Sequence, residues 1–189
     1  MFDPLSEEAI DNSILSAFKS QYTTRLDREI PYFSGEGIYA ITYFGSLPMY
    51  AEICHNVIYV GMSKRRSSRS SLKPSKSPLY SRIKNHINSI SQATNLNPSW
   101  FEVSWLEMTE MFIDRGEQIL LDTYKPIWNC VISGFGNNNP GSGRRAQKLS
   151  EWDMLHPGRL WASSHPTPSK IDLESAKNKI KNHLLSISK

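Results

Sequence analysis

The chain has 189 residues, 39% of them hydrophobic and 21% charged, with a net charge of +4; that length suits one compact domain with appendages and is too short for two comfortable ones. No stretch approaches the roughly 20 apolar residues of a membrane span, and the opening MFDPLSEEAI lacks the basic-then-apolar layout of a signal peptide, so a cytoplasmic protein is expected. Cys54 and Cys130 are far apart and without CxxC spacing, which excludes a disulfide framework and a zinc knuckle and leaves two reduced, packed thiols.

The distribution of charge says more than its sum. Lys and Arg against Asp and Glu give −5 over residues 1–60, +8 over 61–90, −4 over 91–130 and +5 over 131–189. The second block has no carboxylate at all, and such a run repels itself until counterions or phosphates neutralise it. A polyanion partner is implied, nucleic acid first; a solvated basic face is the plainer alternative.

In chain order, residues 6–20 place Ile10, Ile14 and Phe18 at four-residue steps behind Ser6 and the acidic pair Glu7 and Glu8, which predicts a capped amphipathic helix. Residues 21–36 are polar and irregular. GIYAITYF at 37–44 and VIYVG at 57–61 read as two short strands that pair, with β-branched and aromatic residues between Gly, Ser, Pro and Asn. Tyr39 and Tyr59 can emerge on a common side if the register allows, and cross-strand packing is the ordinary role for such a pair. The connection GSLPMYAEICHN is longer than a tight hairpin loop and reads as an ornament on the sheet edge.

After Gly61 the Ser, Lys, Arg and Pro mixture through residue 80, which includes Lys64, Arg65 and Arg66, reads as a mobile basic loop. A helix over about 79–93 follows from the stripe Leu79, Ile83, Ile87 and Ile90. Beside that stripe Arg82 and His86 stand four apart, one turn from each other, as a small cationic device or simply two exposed side chains. Residues 100–108 predict a third strand with Phe101, Val103 and Trp105 on one side. The helix over 109–126 has Thr109 as its cap, Pro126 as its end and Ile113, Leu120, Leu121 and Tyr124 as its buried face. Glu117 falls among these apolar positions, and a carboxylate there coordinates a metal, is paired, or sits at the rim of a cleft. The tail opens with a Gly and Asn loop carrying Arg144 and Arg145, continues through a short helix with Trp152, and ends in a helix over 171–185.

Tyr39 in GIY, Tyr59 in YVG, Arg82, His86, Glu117 and Asn129 after KPIWN occur in the order and rough spacing of the GIY-YIG endonuclease superfamily, which this sequence resembles over about 35–130. In the tail GFGN, PGSGR, AQ, the WD at 152–153 and HPGR before Trp161 resemble the type II restriction branch whose best known kind cuts CCGCGG. One departure is Met62, where superfamily members commonly have Lys; Lys64 can take that part only if the loop bends back.

The resemblance implies an α+β fold: a small three-stranded antiparallel sheet flanked by helices in a core over 35–130, an N-terminal helical extension over 1–34, and a C-terminal extension over 131–189 for DNA recognition. It further implies metal-dependent phosphodiester hydrolysis, with Glu117 holding one Mg²⁺ (Mn²⁺ as substitute) and Arg82 facing the phosphate. Tyr39 is the first choice as base and His86 the competitor, with Tyr59 hydrogen-bonding phosphate or nucleophile and Asn129 tying the second helix to the catalytic face. Duplex DNA is the expected partner. Lys64, Arg65 and Arg66 would meet its phosphates, while Asn137, Asn138, Asn139, Arg144 and Arg145 would read bases. A homodimer on a palindrome and a protecting DNA methyltransferase complete the picture. A repair or homing-type GIY-YIG nuclease and a non-catalytic DNA-binding module are the alternatives, although the latter has no use for Glu117 near Arg82.

Overall fold

The structure of the chain, a computed structural model, describes residues 6–65, 77–137, 149–164 and 169–187. Strand β2 (Gly37–Tyr43) lies between β3 (Asn56–Ser63) and β4 (Phe101–Glu107), antiparallel to both. Residues 38 to 41 of β2 are all buried, as befits a strand covered on both faces. The sheet has four strands, where three were expected, in the order β1 (Thr24–Arg25), β4, β2, β3. The additional strand is β1, paired with β4 and continued by a hydrogen bond from Leu26 N–H to Phe101 O of 2.9 Å. Two polar residues carry no alternation, so pairing with β4 rather than any local pattern makes them a strand.

One face of the sheet is covered by α1 (Glu7–Lys19) and α3 (Glu110–Tyr124). Ile14 and Phe18 of α1 and Ile113, Ile119 and Leu120 of α3 pack there on Ile38, Ala40 and Val60. Ser6 caps α1 as expected, accepting from Ala9 N–H at 3.3 Å. Thr109 holds the cap position of α3 but its side chain makes no capping bond, and Leu121 and Tyr124 are only partly buried. Lys125, in the left-handed region at φ 43°, ends α3 ahead of Pro126.

The other face carries Tyr39, Ile41, Tyr43, Tyr59, Phe101 and Val103. Against it pack α2 (Pro78–Gln92), the short α4 (Ile127–Cys130) and α5 (Glu151–Leu155), and a 3₁₀ turn at Pro48–Ile53, with α6 (Lys170–Ile187) behind them. The connection between the first two strands is therefore no ornament. Its Tyr50 is fully buried, accepts from Trp128 Nε1 at 2.9 Å and meets His156 Nε2 at 2.8 Å. Cys54 is half-buried, while Cys130 is exposed rather than packed. Among the described residues no helix is long and apolar enough to cross a membrane.

Candidate active site

Register decides the tyrosine question. Tyr39 lies opposite Gly61, and Tyr59 opposite Ile41, so both tyrosines leave the same face as diagonal neighbours, their ring centroids 6.1 Å apart. A Cβ at Gly61 would run into the Tyr39 hydroxyl, so the glycine that ends YVG makes room for the tyrosine of GIY.

Helix α2 lies over this pair. His86 belongs to the buried stripe with Leu79, Ile83 and Ile90 rather than flanking it, and is only 2% exposed. Its Nε2 stands 2.5 Å from Tyr39 Oη. Burial, and after it the charges of Arg82 and Arg159, hold the imidazole well below the usual histidine range, so it is neutral. The expected cationic pair thus carries one charge, on Arg82. That guanidinium donates to Gly136 O at 2.7 Å, and its charge acts on the phenols of Tyr39 and Tyr59. Burial raises both phenols, Tyr39 the more strongly, while Arg82 pulls each back down.

Glu117 comes from α3 on the opposite face. It is half-buried, and its acidity is weakened first by desolvation and then by Asp114, with Arg82 and Lys64 opposing. Its charge in turn is felt by Tyr59, so the two halves of the site meet at β3, an edge strand. Among the described residues no group of three or more His, Cys, Asp and Glu could hold a metal. Glu117, pushed toward protonation by burial and by Asp114, is an oxygen donor of the kind a hard divalent cation takes.

Asn129 does not tie α3 itself to the site. From α4 it grips the outer edge of β3, its Oδ1 accepting from Val60 N–H and its Nδ2 donating to Val60 O, each at 2.8 Å. The amide thus takes the place of a fifth strand beside Tyr59. Met62 packs with the α1 and α3 core, and Lys64, one residue past the end of β3, reaches Asp114 Oδ2 at 2.5 Å. Arg65 is exposed, its N–H bound to Glu36. Asn137 is exposed at the end of the Gly134 loop. Arg66, Asn138, Asn139, Arg144 and Arg145 lie outside the described residues.

The tail reaches further into the site than its Gly and Asn composition suggests. Phe135 is 1% exposed, stacks on His86 at 4.5 Å and meets the Tyr59 ring edge-on at 4.7 Å. A Cβ at Gly136 would stand 2.7 Å from Tyr59 Oη, so only glycine admits this close approach. The signal in the sequence was the single aromatic between the two glycines of GFG, read there only as part of a family likeness.

A strand-borne tyrosine pair, an arginine and a neutral histidine on one helix, and a carboxylate on the next follow the arrangement that the resemblance to GIY-YIG nucleases led us to expect. The family model described as the Eco29kI GIY-YIG domain matches residues 31–184, and the chain belongs to that restriction endonuclease family. No curated protein matches the chain. Membership carries DNA binding and nuclease chemistry with it, and GIY-YIG nucleases are generally metal-dependent.

Proposed function

We propose that the protein is a type II restriction endonuclease that hydrolyses phosphodiester bonds of duplex DNA at one specific palindrome, with Tyr39 and His86 forming the proton path. The observation that carries this reading is the 2.5 Å contact between Tyr39 Oη and His86 Nε2. A phenol raised by burial is a poor free base, but a neutral imidazole accepting its hydrogen removes that difficulty. As the attacking water gives a proton to Tyr39 Oη, the tyrosine passes its own to His86, and no isolated phenolate forms. Arg82 supports the charge growing on the non-bridging oxygens, and Tyr59 donates beside it. Glu117 would hold Mg²⁺, with Mn²⁺ as substitute; such an ion supplies charge neutralisation at the phosphate and the leaving oxygen. Asn129, by keeping β3 in place, fixes Tyr59.

One such site cuts one strand, so two copies related by a two-fold axis would cut both. In this reading the extension over 131–189 carries base recognition on the core over 35–130, with residues 1–34 as a helical extension. Arg144, Arg145 and the amides of Asn137, Asn138 and Asn139 would face base edges, and Lys64, Arg65 and Arg66 the phosphates. CCGCGG is the first site to test, and the enzyme would act in the cytoplasm beside a methyltransferase that protects the host. Digestion of long genomic DNA with and without Mg²⁺ tests the reading. Discrete metal-dependent bands are expected. A smear would indicate a nuclease without site specificity, and intact DNA a binding module.

A further inference from the structure

Behind the catalytic face Arg159 is 2% exposed, yet it carries a full charge in the interior. Its Nε and Nη2 meet the two carboxylate oxygens of Asp153 at 2.6 and 2.9 Å, and its guanidinium lies 4.5 Å from the ring of Trp152 and 4.8 Å from that of Trp161. The remaining donor capacity is spent on one short loop: Gly134 O at 2.8 Å, Phe135 O at 3.2 Å and Asn137 O at 3.4 Å. The carbonyl skipped in this series, that of Gly136, accepts from Arg82.

We propose that Arg159 is a positioning residue for cleavage, which sets the peptides of residues 134–137 so that the Gly136 carbonyl holds the guanidinium of Arg82 in place. Arg159 thus holds the carbonyls before and after that of Gly136, and Arg82 takes the one between them. Asp153 is itself fixed, by Ser150, whose Oγ accepts from Asp153 N–H at 3.2 Å and lies 2.6 Å from Asp153 Oδ2. Stability alone does not call for this arrangement, since a buried ion pair is often replaced by apolar residues of like volume without loss. A fork of five donors does something that apolar side chains cannot, which is to dictate the direction of several carbonyls at once. The inference rests on the reading of Arg82 as the phosphate-facing cation.

The test is a cycle on the full-length protein. Variants are Arg159→Met combined with Asp153→Leu, Arg159→Lys alone, Arg82→Ala, and each Arg159 variant joined to Arg82→Ala. Single-turnover cleavage of long genomic DNA, DNA affinity without metal and thermal melting are measured for each. The apolar pair is expected to melt cooperatively and bind DNA nearly as wild type, yet to cleave on the order of 100-fold more slowly, the cost of misplacing one catalytic group by about 1 Å. Arg159→Lys, with no fork, should fold and recover only part of that rate. On the Arg82→Ala background both changes should add little, because a group that acts through Arg82 has nothing left to position. Should the apolar pair not fold, the lysine variant decides by the same cycle. Wild-type cleavage in the Arg159 variants, or losses that multiply with that of Arg82→Ala, would overturn this inference alone. Full activity of Arg82→Ala would overturn it together with the reading of the site.

Discussion

The two faces of the sheet are built differently. Beneath α1 and α3 the contacts are mostly aliphatic, Ile14, Ile38, Ala40, Val60, Ile113 and Leu120 among them, with Phe18 adding one aromatic ring to the buried set. On the other face aromatic rings predominate and polar groups are threaded between them: Tyr39 with His86, Tyr50 with His156 and Trp128, Arg159 with Asp153. Aliphatic packing tolerates sliding and repacking, whereas each hydrogen bond in an apolar setting admits one geometry and penalises the rest. The chemistry that needs fixed directions sits on the second face. The first face contributes a helix to stand on and, from its rim, Glu117.

The largest effect should follow from the single group contributed by the aliphatic side. Glu117→Gln keeps the shape and removes the charge that would hold the metal, so cleavage should fall by several kcal/mol in the transition state, more than about 100-fold, while specific DNA binding survives. Residual cleavage above about a tenth of wild type in a plasmid assay would remove Glu117 from the metal site.

Next come the polar threads of the other face. Tyr39→Phe should slow cleavage by ~100-fold or more, and His86→Ala by less, because water can still accept from Tyr39 once the ring is gone. His86 remains neutral through the whole range from neutrality to well below the ordinary histidine value, so wild-type activity should show no acid limb near pH 6.5 from this residue. The reverse ranking of the two variants would make His86 the base. Equal activity of Tyr39→Phe and wild type would return that tyrosine to packing.

What the sequence made legible follows the same divide. The strands around Tyr39 and Tyr59 and the stripes of α1, α2 and α3 are periodic, and period is a local property readable without knowing any partner. The short strand β1 has no period, and Tyr50 is buried by Trp128 and His156, which are distant in sequence, so neither could be seen. His86 reads as a cation at i, i+4 from Arg82, but burial under Phe135 makes it neutral, and that ring arrives from a loop whose composition announces only flexibility. The candidate residues were legible as an ordered list. Their charge states were not, since these depend on what the tail places over them.

A smaller effect, on stability rather than rate, separates the faces again. His156 is fully buried, with Tyr50 Oη at Nε2 and Asn95 Oδ1 3.0 Å from Nδ1; burial, then Arg159, pushes its pKa down to about 3. The unfolded chain takes up this proton near pH 6.5 and the native chain does not. The stabilisation is thus complete above about pH 6.5 and is lost as pH falls toward about 3, at about 1.4 kcal/mol per pH unit for one proton. His86 adds a slope of the same sign. His156→Gln should flatten the dependence of unfolding free energy between pH 6 and 4 by about one proton, read from denaturant titrations at each pH. An unchanged slope would mean that His156 is already protonated in the native protein.

The smallest effect concerns Lys64, which stands near the place of the lysine common elsewhere in the superfamily. Its ammonium is engaged by Asp114, a carboxylate that weakens the acidity of Glu117, while Lys64 itself acts in the opposite sense. We read Lys64 as a screen between two carboxylates that can also meet a DNA phosphate away from the cut bond, and not as a member of the proton path. An ion pair with Asp114 70% exposed contributes less than about 1 kcal/mol, and salt weakens it further. Lys64→Met should lower cleavage only a few-fold, about 1 kcal/mol or less, and adding Asp114→Asn should restore much of the loss, because the charge that needed screening is then gone. Both changes should fade at high salt when rates are compared at saturating enzyme. A collapse of Lys64→Met to the level of Glu117→Gln, unrelieved by Asp114→Asn, would instead place this lysine at the phosphate of the bond that is cut.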